Sequence, residues 1–210
     1  MGISLSTILL SILDMVCLTI AVRAFLVYHK THNDTLFILG LSMVTIAFSG
    51  LFGVATQLGF IGTNTDTNSS WSKYIGPSSG FLFIFLSSIA GSNERMRILK
   101  GWQIIFVVLY FLLALLSPIL PRVPDRTTEV MLNGVRCLAC VLPFLRYMLI
   151  YIKKETHFSL FMCLAFMLMG IGYVVSTPQL LQPNLLVFST VGSSIRIIGY
   201  GTLLAAFTTK

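Results

Sequence analysis

Residues 158–181 read Phe-Ser-Leu-Phe-Met-Cys-Leu-Ala-Phe-Met-Leu-Met-Gly-Ile-Gly-Tyr-Val-Val-Ser-Thr-Pro-Gln-Leu-Leu, an apolar run without a single charged side chain. At about 1.5 Å per residue, a helix of this length crosses the ~30 Å hydrocarbon layer of a bilayer. Six further runs of the same kind occupy 4–28, 35–61, 73–92, 101–120, 131–152 and 184–208, leaving only short connections. A mean hydropathy of +0.90, with 56% hydrophobic and 10% charged residues, excludes the soluble classes. Inside lipid every backbone amide needs a partner within the protein, so each run is a helix. The chain is therefore expected to be an all-α, multi-pass integral membrane protein with seven transmembrane helices. Residues 1–210 form a single transmembrane domain.

Lys30, Arg95, Arg97, Lys100, Lys153, Lys154 and Lys210 fall on one side of this arrangement, and Lys73, Arg122 and Arg126 on the other. The cationic side of a span series faces the cytoplasm, which gives an outside N-terminus and an inside C-terminus; the plasma membrane is the expected location. The formal net charge of +7 is a membrane-surface feature. No clustered basic face exists for nucleic acid. The first span lacks a basic leader and carries Asp14 in its middle, so it does not read as a cleavable signal. The Gly2/Ser6 myristoylation pattern conflicts with an outside N-terminus. Sequons at Asn33 and Asn68 are chance-level signals.

The first three spans resemble the last three. Arg23, Leu26, Tyr28 and Lys30 recur as Arg146, Leu149, Tyr151 and Lys153 at an offset of 123; Gln57-Leu58 recurs as Gln179-Leu180 at 122. Pro77 with Ser87-Ser88-Ile89 recurs as Pro183 with Ser193-Ser194-Ile195 at 106. The expectation is a parallel 3+1+3 repeat, with copy A in 1–92, a linker helix and loops in 93–127, and copy B in 128–210. In architecture alone this plan resembles the SWEET-type sugar facilitators, whose proline–glutamine pair has Pro178-Gln179 as its nearest counterpart here. Microbial rhodopsins share the helix count, but no lysine lies in the middle of the seventh span to hold retinal. Neither resemblance transfers a residue role.

Asp14 and Arg196 lie ~15 Å and ~18 Å below the outer ends of the first and last helices. A lone charge at mid-bilayer costs at least ~2.5–3.5 kcal/mol, so an intramembrane Asp14–Arg196 ion pair is expected. Ser87, Ser88, Ser193 and Ser194 share one depth on helices related by the repeat, where they would line a central polar path or simply let backbones approach. Arg136, five residues into the fifth span, is expected to snorkel outward, as Arg23 and Arg146 do inward. Gly50, Gly53, Gly170 and Gly172 read as packing positions, and Pro143 as a kink.

Cys137-x-x-Cys140 lacks the second ligand pair a metal needs, and all four cysteines lie within spans. His29, His32 and His157 belong to solvated connections. No phosphate loop, hydrolase elbow or membrane-protease constellation appears, so no catalysis and no cofactor are expected. Two functions compete. One is a facilitator passing a small solute or ion through the serine-lined centre. The other is a sensory, receptor or interaction module that binds a small or apolar ligand and signals to a membrane or cytoplasmic protein, or to a missing cytoplasmic output domain.

Overall fold

In lipid a chain gains nothing from hiding apolar surface, so its packing is decided by small residues, polar side chains and aromatic contacts. The computed structural model describes residues 5–57, 69–116, 126–182 and 184–208. Gly2, Asn68, Pro118, Arg122, Pro183 and Lys210 lie outside the described residues, as do Leu58 and the 62–68 part of the 62–76 connection. Among the described residues are seven helices: α1 Leu5–Thr31, α2 Asp34–Gln57, α3 Ser69–Ile89, α4 Asn93–Leu116, α5 Arg126–Lys154, α6 His157–Leu181 and α7 Leu186–Thr208.

Six of them are long and apolar enough to cross a membrane, which makes this an all-α, multi-pass membrane-type bundle. The third falls short of the expected 20-residue run, because its apolar part is only Tyr74–Ile89. Polar Ser69, Ser70 and Ser72 open α3, and its end at Ile89 comes just before Gly91 and Ser92, where Ser92 Oγ accepts from Arg95 N. The connection expected at 93–100 is itself helical, so Arg95, Arg97 and Lys100 ride on the first turns of α4.

The helices pack as a closed ring in the order α1, α2, α3, α5, α6, α7 and back to α1, with α4 outside against α2 and α3. Lipid-facing residues such as Trp102 and Leu115 of α4 are 64% and 76% exposed. Polar bonds dock α4 on the ring. Gln103 Nε2 donates to Ile38 O and Ser42 Oγ, both at 2.9 Å, and Lys100 Nζ pairs with Asp34 Oδ1 at 2.8 Å. The centre of the ring is filled by fully buried Ile20, Met43, Phe81, Ile84, Phe166, Met169, Tyr200 and Leu203.

Two helix turns are built alike. α1 ends where His32 takes φ 51 and its N–H reaches Tyr28 O at 2.7 Å; α5 ends where Glu155 takes φ 49 and its N–H reaches Tyr151 O at 2.7 Å. The next residue caps the following helix in both cases. Asn33 Oδ1 accepts from Thr35 N at 3.0 Å, and Thr156 Oγ1 accepts from Ser159 N at 3.4 Å.

A charged and aromatic interior as the candidate functional site

Leu13, Asp14, Cys17, Ile20, Ala21 and Ala24 recur at helical spacing and form the buried stripe of α1. Asp14 is 0% exposed, and neither carboxyl oxygen has a hydrogen-bond partner. Its place is made by Gly50 of α2: a Cβ there would overlap the Asp14 carboxyl group.

Arg196 stands on α7 and bonds within its own helix. Nε donates to Gly192 O at 3.3 Å and Nη2 to Ser193 Oγ at 2.8 Å, while Cζ lies 4.9 Å from the Tyr173 ring centroid. Glycine again supplies the room, since a Cβ on Gly172 would lie 2.5 Å from Arg196 Cγ and 2.8 Å from Gly192 O. The expected Asp14–Arg196 pair is therefore not formed in this structure. Equal depth fixed the height of the two charges but not their bearing around the helices. Asp14 faces the gap at Gly50 of α2, and Arg196 is satisfied by α7 and the face of Tyr173.

The four serines are likewise spent locally. Ser87 Oγ donates to Ile84 O at 2.7 Å, Ser88 Oγ to Phe85 O at 2.7 Å and Ser194 Oγ to Thr190 O at 3.0 Å. Ser193 Oγ accepts from Arg196. No bond joins a serine of α3 to one of α7 among the described residues.

Arg136 does not snorkel. It is 6% exposed, with Cζ 4.4 Å from the Tyr74 ring centroid and 5.4 Å from that of Tyr173. Nη1 reaches Asn133 Oδ1 at 3.4 Å, and Asn133 Nδ2 donates to Tyr173 O at 3.0 Å and Thr177 Oγ1 at 3.1 Å. The sequence signal for this burial was the run Asn133, Arg136, Cys140, Pro143 and Tyr147, a three- and four-residue stripe whose members are all buried. Arg23, by contrast, is exposed, and half-buried Arg146 donates from Nε to Ser88 O at 3.2 Å.

The cysteine pair of α5 faces α6, where Cys137 Sγ lies 3.9 Å from Gly170 O and Cys140 is fully buried. His29, His32 and His157 are exposed. α5 runs unbroken through Pro143, and α3 and α6 through Pro77 and Pro178.

No family model, curated protein or solved structure matches this chain. The site therefore has to be read from its own chemistry. Two guanidinium groups, from α5 and α7, converge on the ring of Tyr173, and one carboxyl lies apart on α1. Each desolvated cation–aromatic contact contributes as much as ~2 kcal/mol, which offsets much of the ~2.5–3.5 kcal/mol that a lone charge costs at mid-bilayer.

Proposed function

We propose that this chain is a non-enzymatic sensory or interaction module of the plasma membrane, in which ligand or partner binding shifts helices of the ring. One observation carries this reading: the four serines that would line a solute path bond within their own helices, around a centre packed with Phe81, Phe166, Met169 and Tyr200. The seven-to-three excess of Lys and Arg supports an outside N-terminus and an inside C-terminus. The paired turns support the 3+1+3 plan. His32 and Glu155, and likewise Asn33 and Thr156, stand 123 positions apart, the offset already found for Tyr28 and Tyr151. The ring order agrees, because α3 meets α5 as α7 meets α1.

The facilitator reading keeps one observation in its favour. Asp14, buried without a partner, is the kind of intramembrane acid that binds a proton or cation in transit. Uptake by purified protein in liposomes decides between the two. The sensor reading expects no flux across a panel of sugars, amines and monovalent ions. Uptake that Ser88→Leu or Ser194→Leu abolishes without unfolding the protein would overturn it. For orientation, Thr65→Cys and Glu155→Cys in a background lacking native cysteines should label from opposite sides of the membrane. Reaction of Glu155→Cys with an impermeant reagent applied outside reverses the assignment.

A further inference from the structure

We propose that Asp14 is a proton-binding site of the membrane interior, and that its proton holds α1 against α2. Such a site serves a sensor and a facilitator alike.

Asp14 is fully buried, and both of its carboxyl oxygens lie without a hydrogen-bond partner. It stands nine residues past Leu5 at the start of α1, ~14 Å along that helix. A carboxylate there has lost its water and found no donor in exchange. The ionised form bears nearly all of that cost, so taking up one proton removes most of it.

The elements around Asp14 supply no counter-charge. α1 packs against α2 and α7. α2 presents Gly50, and its one acid, Asp34, lies at the far end of the helix bonded to Lys100. α7 carries Arg196 and Tyr200. Arg196 bonds to Gly192 O and Ser193 Oγ and faces Tyr173 of α6. Tyr200 is fully buried, and its hydroxyl also lacks a hydrogen-bond partner. On α1 itself, fully buried Cys17 lies one turn on, beside both Asp14 and Tyr200. The remaining titratable groups of α1 begin at Arg23, nine residues on and exposed. No cation pairs with the Asp14 carboxyl, whose surroundings act on it through burial alone.

The space at Asp14 selects the ligand. A Cβ at Gly50 would overlap the carboxyl group, so the acid itself fills the gap that glycine leaves. A metal ion or an organic cation needs room of its own, whereas a proton needs none. The same close fit ties the proton to helix packing. Ionisation would set an unpaired charge against the α2 backbone, and water reaches that charge only where α1 and α2 part. Cys17, on the same buried stripe, would then be uncovered.

The test uses the full-length chain in lipid vesicles, with infrared difference spectra of wild type against Asp14→Asn. At about pH 7 an ordinary aspartate, with a pKa of ~3.9, is ionised about a thousandfold over its acid form. The wild type should nonetheless show the carbonyl stretch of a protonated carboxyl, and Asp14→Asn should lack it. Glu129→Gln, which alters a half-buried acid of α5, should keep the band. If Asp14→Asn does not fold, Asp14→Ala takes its place, because it leaves the gap at Gly50 open. A band that is missing from the wild type, or that survives removal of Asp14, overturns the site. Helix parting is read from Cys17 in a background without the other three cysteines. Raising the pH from about 7 to about 9 speeds maleimide labelling through the thiol's own ionisation, and Asp14→Asn measures that part. The wild type should accelerate severalfold more than Asp14→Asn. Equal acceleration overturns the tie between the proton and the α1–α2 contact.

Discussion

The corner where α1 turns into α2 and the corner where α5 turns into α6 share a backbone and differ in what they bury. Each ends its first helix on a residue with φ near 50, His32 or Glu155, and each caps its second helix with the next side chain, Asn33 or Thr156. About four to five turns deeper, the corner of α1 and α2 holds Asp14 against Gly50, while that of α5 and α6 holds Cys137 and Cys140 against Gly170. The second half also carries Arg136 and Arg196; the offsets of 123 and 106 put Leu13 and Ala90 at the matching places in the first. Turn geometry depends on a few local hydrogen bonds and survives divergence. Interior charge depends on which neighbour leaves room, and a single glycine decides that.

Glycines give the largest test of this contrast. Gly172→Ala would bring its Cβ to 2.8 Å from the Gly192 carbonyl, and backbone cannot step aside. We expect a loss near the upper end of the ~1–3 kcal/mol typical of overpacking, read from denaturant or thermal unfolding in detergent. Gly50→Ala meets the Asp14 carboxyl instead and should cost less, with part of the loss recovered in Asp14→Ala/Gly50→Ala. Gly170→Ala meets only Cys140 Cβ at 3.7 Å, an ordinary contact, and should be nearly neutral. Equal costs at the three positions would mean that the two corners are packed alike after all.

The turns themselves should respond equally. Asn33→Ala and Thr156→Ala each remove a cap, at ~0.5–2 kcal/mol apiece. A difference above about 1 kcal/mol between them would separate corners that their hydrogen bonds make equivalent. A smaller effect is expected for Lys100 and Asp34, which only the α2 side possesses because α4 docks there. The pair is 24% and 30% exposed, so a double-mutant cycle should give ~0.2–1 kcal/mol, diminishing with salt.

Helix number and position were legible because lipid imposes a length: α6 spans 157–181 against an expected 158–181, and α7 186–208 against 184–208. The start of α4 was not, because Asn93 to Lys100 is polar yet helical, and apolar length says nothing about a helix that projects beyond the hydrocarbon. α3 was overestimated for the converse reason, its apolar part being shorter than its helix. Within the candidate site, depth could be counted from sequence and bearing could not. Arg136 was assigned by its distance from a helix end, whereas its stripe with Asn133 and Cys140 pointed inward. The serines were placed correctly in depth, but a hydroxyl that satisfies itself on its own helix gives no sign of doing so in sequence.

The smallest expected effect carries the most information about the interior. Height alone joins Asp14 to Arg196, and if they touched, Asp14→Asn would strand a buried cation while Asp14→Asn/Arg196→Gln would recover much of the cost. The structure instead gives Arg196 its partners on α7 and leaves the Asp14 oxygens against Gly50. The two changes should therefore add to within about 0.5 kcal/mol in an unfolding cycle. Asp14→Asn alone should be mild, since an amide of nearly the same shape replaces a group that has no partner to lose. A coupling above about 1 kcal/mol would mean that the charges meet in the membrane. Additivity leaves the first half of the bundle with a separate acid against Gly50 and the second with two guanidiniums held on the ring of Tyr173.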